Sequence, residues 1–139
     1  MRVKLLEHRP ETPPKLTKNQ TLVMRVLNKA KGPLSAYAIL DQLRGRGLRA
    51  PLQVYRALDK LSDCGMVHRI ESMKAFVACN HINPDCHAAV AFAICDSCGE
   101  VLEISDRAFH EGLTSFAKAI GFAQNKSTVE MIGRCKRCR

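Results

Sequence analysis

Apolar residues in the first half of the chain recur at the spacing of short helices. Leu22, Val23, Val26, Leu27 and Ala30 fall on one side of a helix that Thr17 can cap and that Gly32-Pro33 ends. Ser35 can cap a second helix, with Leu40 and Leu43 inward and an end near Gly45 and Gly47. Pro51 suits the first turn of a third, in which Val54, Ala57, Leu58 and Leu61 form the buried stripe and Gly65 marks the end. Gln53, Arg56 and Lys60 take the opposite face, while Cys64 near the end reads as a small buried apolar residue. Then Met66–Glu71 and Ala75–Cys79 read as two strands of a hairpin around Ser72-Met73-Lys74. Three short helices followed by a hairpin make a winged helix-turn-helix. There the third helix lies in the major groove of double-stranded DNA, where exposed Arg and Gln can hydrogen-bond base edges.

The second half follows a different pattern. Ala89–Ile94 is an apolar strand. Glu100–Ile104 is a second, with Leu102 and Ile104 on one face and Val101 and Glu103 on the other. Ser105 can cap a helix carrying Phe109, Leu113, Phe116, Ala117 and Ile120, with Gly121 as its stop. Ser127–Ile132 is a third strand. Three strands and one helix from about sixty residues bury little surface alone, so this half needs a staple and a partner. A homodimer, with sheets joined edge to edge and the Phe109/Phe116 helix packed across, supplies the partner. The expected fold class is α+β: a winged-helix domain at 1–79 with a basic N-terminal arm, a linker at 80–86, and a dimerisation and metal-binding domain at 87–139.

Two cysteine pairs bracket that half, Cys95-Asp-Ser-Cys98 and Cys135-Lys-Arg-Cys138. A two-residue gap lets both sulfurs of a tight turn reach one tetrahedral ion. Four thiolates make a closed zinc site of structural type. The 36 residues between the pairs exceed the spacing of a single zinc ribbon, so the ion ties two distant turns together. Two disulfides, or one redox pair in a thiol-disulfide enzyme, are the competing readings. Two matched pairs without an export signal favour metal, and an odd total of seven cysteines points to a reducing cytoplasm.

Charge sharpens the picture. The net charge is +9; residues 1–79 hold 15 Lys/Arg against 6 Asp/Glu, and residues 80–139 hold 7 against 7. An excess confined to the helical half is the footprint of a polyanion-binding module. Lys15, Lys18, Gln53 and Lys60, with Lys74, are candidate phosphate contacts, and Arg56 is the candidate guanine reader. The longest uncharged apolar run, Ala88 to Cys95, is eight residues, far short of a membrane span. No nucleophile–base–acid constellation, phosphate-cradling glycine loop or paired acidic motif appears, so neither an enzyme nor a small-molecule substrate is expected.

Several motifs, in order along nearly the whole chain, resemble the ferric uptake regulator family. They are Val54-Tyr55-Arg56-Ala57-Leu58, Gly65-Met66-Val67-His68, Cys95-Asp-Ser-Cys98-Gly99, and Gly121-Phe122 ahead of Cys135-Lys-Arg-Cys138. Ser35-Ala36-Tyr37, His68-Arg-Ile-Glu71-Ser72 and Cys79 are most similar to its zinc uptake regulators. The resemblance implies a dimeric, zinc-loaded repressor of zinc-uptake genes that binds palindromic operator DNA, with two ions per chain, one structural and one regulatory. It adds Tyr37 as a second base-contacting residue.

A regulatory site must join the two halves, and its candidate ligands outside the cysteine pairs are His68, Cys79, His81, Cys86, His87, Glu103 and His110. By similarity the set is His68, Cys79, His87 and Glu103. His87 stands eight residues before Cys95, one more than in relatives. Since one residue reverses the face of a strand, either a bulge intervenes or Cys86 or His81 replaces it. An iron- or peroxide-sensing repressor is the alternative within the family, and the Cys79 thiolate, a soft ligand, argues against it.

Overall fold

In the computed structural model the described residues are 15–79, 89–104 and 106–139. Three helices come first: α1 (Lys18–Lys29), α2 (Ala36–Leu43) and α3 (Pro51–Asp63). Thr17 caps α1 through a reciprocal pair of bonds with Gln20, and the Ser35 hydroxyl accepts from the Ala38 N–H to cap α2. Pro51 occupies the first turn of α3, and Gly65, at φ 72°, turns the chain out of it. Leu22, Val23, Leu27, Ile39, Leu40, Leu43, Val54, Leu58 and Leu61 meet in one core.

The hairpin follows as β1 (Val67–Ile70) and β2 (Ala75–Ala78), paired antiparallel from Val67↔Ala78 to Ile70↔Ala75. A 3-10 turn at Glu71–Met73 and Lys74 in the left-handed region (φ 48°) join them. Leu34 exchanges two backbone hydrogen bonds with Phe76, at 3.0 and 2.8 Å, fastening the start of α2 to this wing.

The C-terminal sheet has the order β4-β3-β5, from β3 (Ala89–Cys95), β4 (Val101–Ile104) and β5 (Ser127–Gly133). β3 runs antiparallel to β4 and parallel to β5. Helix α4 (Arg107–Ala119) makes the crossover between β4 and β5. Its cap is Asp106, whose carboxylate accepts from the Ala108 and Phe109 N–H groups, and not Ser105, which lies outside the described residues. Asp106 is one step closer to the helix, and its charge complements the helix N-terminus.

The sheet's two faces have different fates. Val90, Phe92 and Ile94 pack against Ile70 and Val77 of the wing, so a second core is shared between the halves. The opposite row, Leu102–Ala93–Met131, has Leu102 at 64% and Met131 at 49% exposure. Of α4 only Ala117 is buried, and Phe116, Ile120 and Phe122 are exposed. Cys64 is exposed, against expectation: it is the C-cap of α3, just beyond the last turn that packs inward.

Candidate metal centres and nucleic-acid interface

Parallel pairing brings the two cysteine pairs together. β3 and β5 stay in register to Cys95↔Gly133, so both strands deliver their following turns to one end of the sheet. The first turn closes with Gly99 N–H donating to the Cys95 carbonyl (2.9 Å), Gly99 at φ 74°. The second closes with Cys138 N–H on the Cys135 carbonyl (2.9 Å), and Arg137 and Glu100 pair across the two turns at 3.1 Å. The four Sγ atoms lie within 4.8 Å of one another, and Cys98 and Cys135 are 3.7 Å apart. Zinc–sulfur bonds of about 2.3 Å place tetrahedral sulfurs about 3.8 Å apart, so the donor set fits a four-thiolate ion. Cys95 is drawn down to about 6, first by the Cys135 N–H, which donates to its sulfur at 3.3 Å. Cys138 is pushed up to about 12 by the side-chain hydrogen bond with Cys135. Thiols this close do not ionise together without a cation among them.

A second cluster lies where wing and sheet meet. His68 is on β1, Cys79 follows β2, and Glu103 is on β4; a donor atom of each lies within 4.8 Å of the others. His68 Nε2 is 3.7 Å and Cys79 Sγ 4.0 Å from Glu103 Oε1. The His68 ring is buried, against Phe92 at 6.0 Å and 60°. One nitrogen, one sulfur and one carboxylate at these separations fit three corners of a tetrahedral zinc site. His87, Cys86 and His81 lie outside the described residues. His110 lies on α4 and belongs to neither cluster.

The proposed DNA face is open. Tyr37 is 60% exposed, and Arg56 and Lys60 are exposed on α3. Lys15 and Lys18 are exposed at the start of α1, as is Lys74 on the wing. Gln53 is engaged at the start of its own helix. Its Oε1 accepts from the N–H groups of Arg49 (2.8 Å) and Ala50 (3.1 Å), leaving only its amide hydrogens to donate elsewhere.

One interaction was not anticipated. Glu130 of β5 accepts from the backbone N–H groups of Glu71 (2.6 Å) and Ser72 (3.2 Å) on the wing turn. The Ser72 side chain, with these N–H groups, holds its carboxyl below the usual range. The available signal was a single carboxylate within the otherwise uncharged strand Thr-Val-Glu-Met-Ile.

Among the described residues no helix is long and apolar enough to cross a membrane. Comparison with known proteins agrees with the geometry. The chain is 36% identical over 125 residues to the zinc uptake regulation protein of Escherichia coli (strain K12), covering 89% of this chain and 72% of that one. A crystal structure of holo XcZur superposes with a TM-score of 0.79 at 41% identity, covering 88% of this chain and 85% of the other. A zinc uptake regulator complexed with zinc and DNA superposes at 0.80 with 35% identity, covering 88% and 82%. The family model for the ferric uptake regulators matches residues 11–132, and the chain belongs to that family.

Proposed function

We propose that this protein is a zinc-responsive transcriptional repressor, acting in the cytoplasm as a homodimer on palindromic operator DNA of zinc-uptake genes. The observation that carries this reading is the cluster of His68 and Cys79 from the wing with Glu103 from the sheet. A ligand bridging two units can fix their relative orientation, and it regulates only if it binds one orientation better than the other. The thiolate favours zinc over harder manganese and, less strongly, iron. Similarity to the zinc-and-DNA-bound regulator supports the same reading. His87 is proposed as the fourth regulatory ligand, and the four cysteines as a structural zinc site, making two ions per chain.

We infer the division into a winged-helix domain at 1–79, a linker at 80–86 and a dimerisation domain at 87–139. The exposed Leu102, Met131, Phe116, Ile120 and Phe122 support self-association through the last of these. Zinc supplies charge neutralisation and cross-linking when bound. The chain's own residues supply orientation, and Tyr37, Arg56, Gln53, Lys60, Lys15 and Lys18 contact DNA. The test is operator binding titrated in parallel with buffered zinc, iron and manganese; a stronger response to iron or manganese overturns the zinc reading.

The reading helix makes its own prediction. Arg56→Ala is expected to lose about 1–3 kcal/mol of discrimination at one base position, whereas Lys60→Ala weakens all sequences alike and lowers the salt slope by about one. Affinities measured on operator and random duplexes across a salt series separate the two. Equal losses on both DNAs for both variants would remove Arg56 from base reading.

A further inference from the structure

The three strands of the sheet place Glu103, Phe92 and Glu130 abreast, since Phe92 pairs with Glu103 on one side and with Glu130 on the other. All three reach the wing. Glu103 reaches His68 and Cys79, Phe92 lies against the His68 ring, and Glu130 reaches the N–H groups of Glu71 and Ser72. Neighbouring strands are about 4.8 Å apart, so the Glu103 and Glu130 attachments lie roughly 10 Å apart across the sheet. The apolar contact of Ile70 and Val77 with the sheet already restrains the wing, and polar attachments at two separated points restrict its rotation further. Hydrogen bonds from N–H groups to an ionised carboxylate are also among the stronger ones. They act on the turn that leads directly into Lys74, the left-handed residue of the exposed wing tip.

We propose that Glu130 is a positioning residue, a metal-independent clamp that holds the wing in the DNA-competent orientation and thereby sets how much free zinc the repressor needs. The zinc part of this inference rests on the function proposed above. Zinc at His68, Cys79 and Glu103 and the clamp at Glu130 favour the same orientation, so each strengthens the other. Removing the clamp lowers the competent fraction before zinc arrives, and apparent zinc affinity falls by that fraction.

The test uses the full chain with its four-cysteine site metal-loaded, and a duplex enriched from random sequences by the parent protein. Glu130→Ala is expected to accelerate amide hydrogen exchange at Glu71 and Ser72 at low free zinc. It should also move the midpoint of zinc-stimulated DNA binding to about tenfold higher free zinc, equivalent to ~1.4 kcal/mol. Saturating zinc should restore most of the affinity. Glu130→Gln keeps an acceptor oxygen and is expected to fall between parent and Ala on both readouts, which a general loss of folding would not produce. An unmoved midpoint, unchanged exchange at the two amides, or a loss that saturating zinc does not relieve would overturn the proposal. Should DNA binding by the parent ignore zinc altogether, the reading of function fails, while the clamp stands or falls on exchange of the two amides.

Discussion

Cys138→Ser is expected to lose one zinc ion per chain and to leave the C-terminal half unfolded or monomeric. A zinc ion bound by four sulfurs that lie within 4.8 Å of one another would fasten the second turn, and thus the end of β5, to β3. Apart from strand pairing and the core of Val90, Phe92 and Ile94 against the wing, this half buries little: α4 contributes one buried residue, Ala117, and Leu102 and Met131 are exposed. Where metal creates the site as it folds, binding free energy is folding free energy, about 10 kcal/mol or more for structural zinc near neutral pH. A serine oxygen does not replace a thiolate in such a site. Elemental analysis with sedimentation and thermal unfolding checks the result. A metal-replete dimer of parental stability would show that the four cysteines have no structural role.

Cys79→Ser is expected to do the opposite: keep the structural zinc, the dimer and the fold, and lose zinc-stimulated operator binding. The backbone at Cys79 is held independently, its N–H donating to the Met66 carbonyl at 2.8 Å, so the wing should survive the change. What is lost is the soft donor 4.0 Å from Glu103, and with it one corner of the bridge between wing and sheet. Tenfold in operator affinity needs only ~1.4 kcal/mol of differential binding, within the usual allosteric coupling of about 1–3 kcal/mol. Without that coupling only the Glu130 contacts and the apolar seam hold each wing, and the two DNA-binding units of a dimer are expected to match half-sites one helical turn apart less often. The measurement is operator affinity of the variant with and without micromolar free zinc, and de-repression of uptake genes in cells. An undiminished response would move attention to Cys86 and His81.

What the sequence made legible was mostly local. Thr17 and Ser35 cap their helices, Pro51 opens α3, and the stripe from Val54 to Leu61 is buried, because each depends on neighbours within one or two turns. The cysteine pairs were legible because a two-residue gap is itself a geometric statement. Misreadings came at boundaries: Asp106 rather than Ser105 caps α4, and Cys64 is exposed where its helix ends. Glu130 could not be placed because its position depends on a parallel register between strands that begin at Ala89 and Ser127. No local period encodes which residue of one strand stands opposite Phe92. Ile70 lies on the wing strand, as expected, but its burial with Val90, Phe92 and Ile94 is a contact that exists only once the halves meet.

The parallel pairing of β3 with β5 also has a consequence for the order of events in folding. The winged-helix half is closed by contacts among α1, α2, α3 and the hairpin, all within residues 18–78, whereas β3 is completed on its β5 side only by a strand that lies beyond β4 and α4. Non-local parallel pairing carries a larger loop-closure cost and is slower to form. The two halves therefore run on different clocks. The end of the sheet that carries the four cysteines is expected to form after the winged-helix half, which amide-exchange labelling during refolding would detect as later protection of β3 and β5 than of α1 and α3.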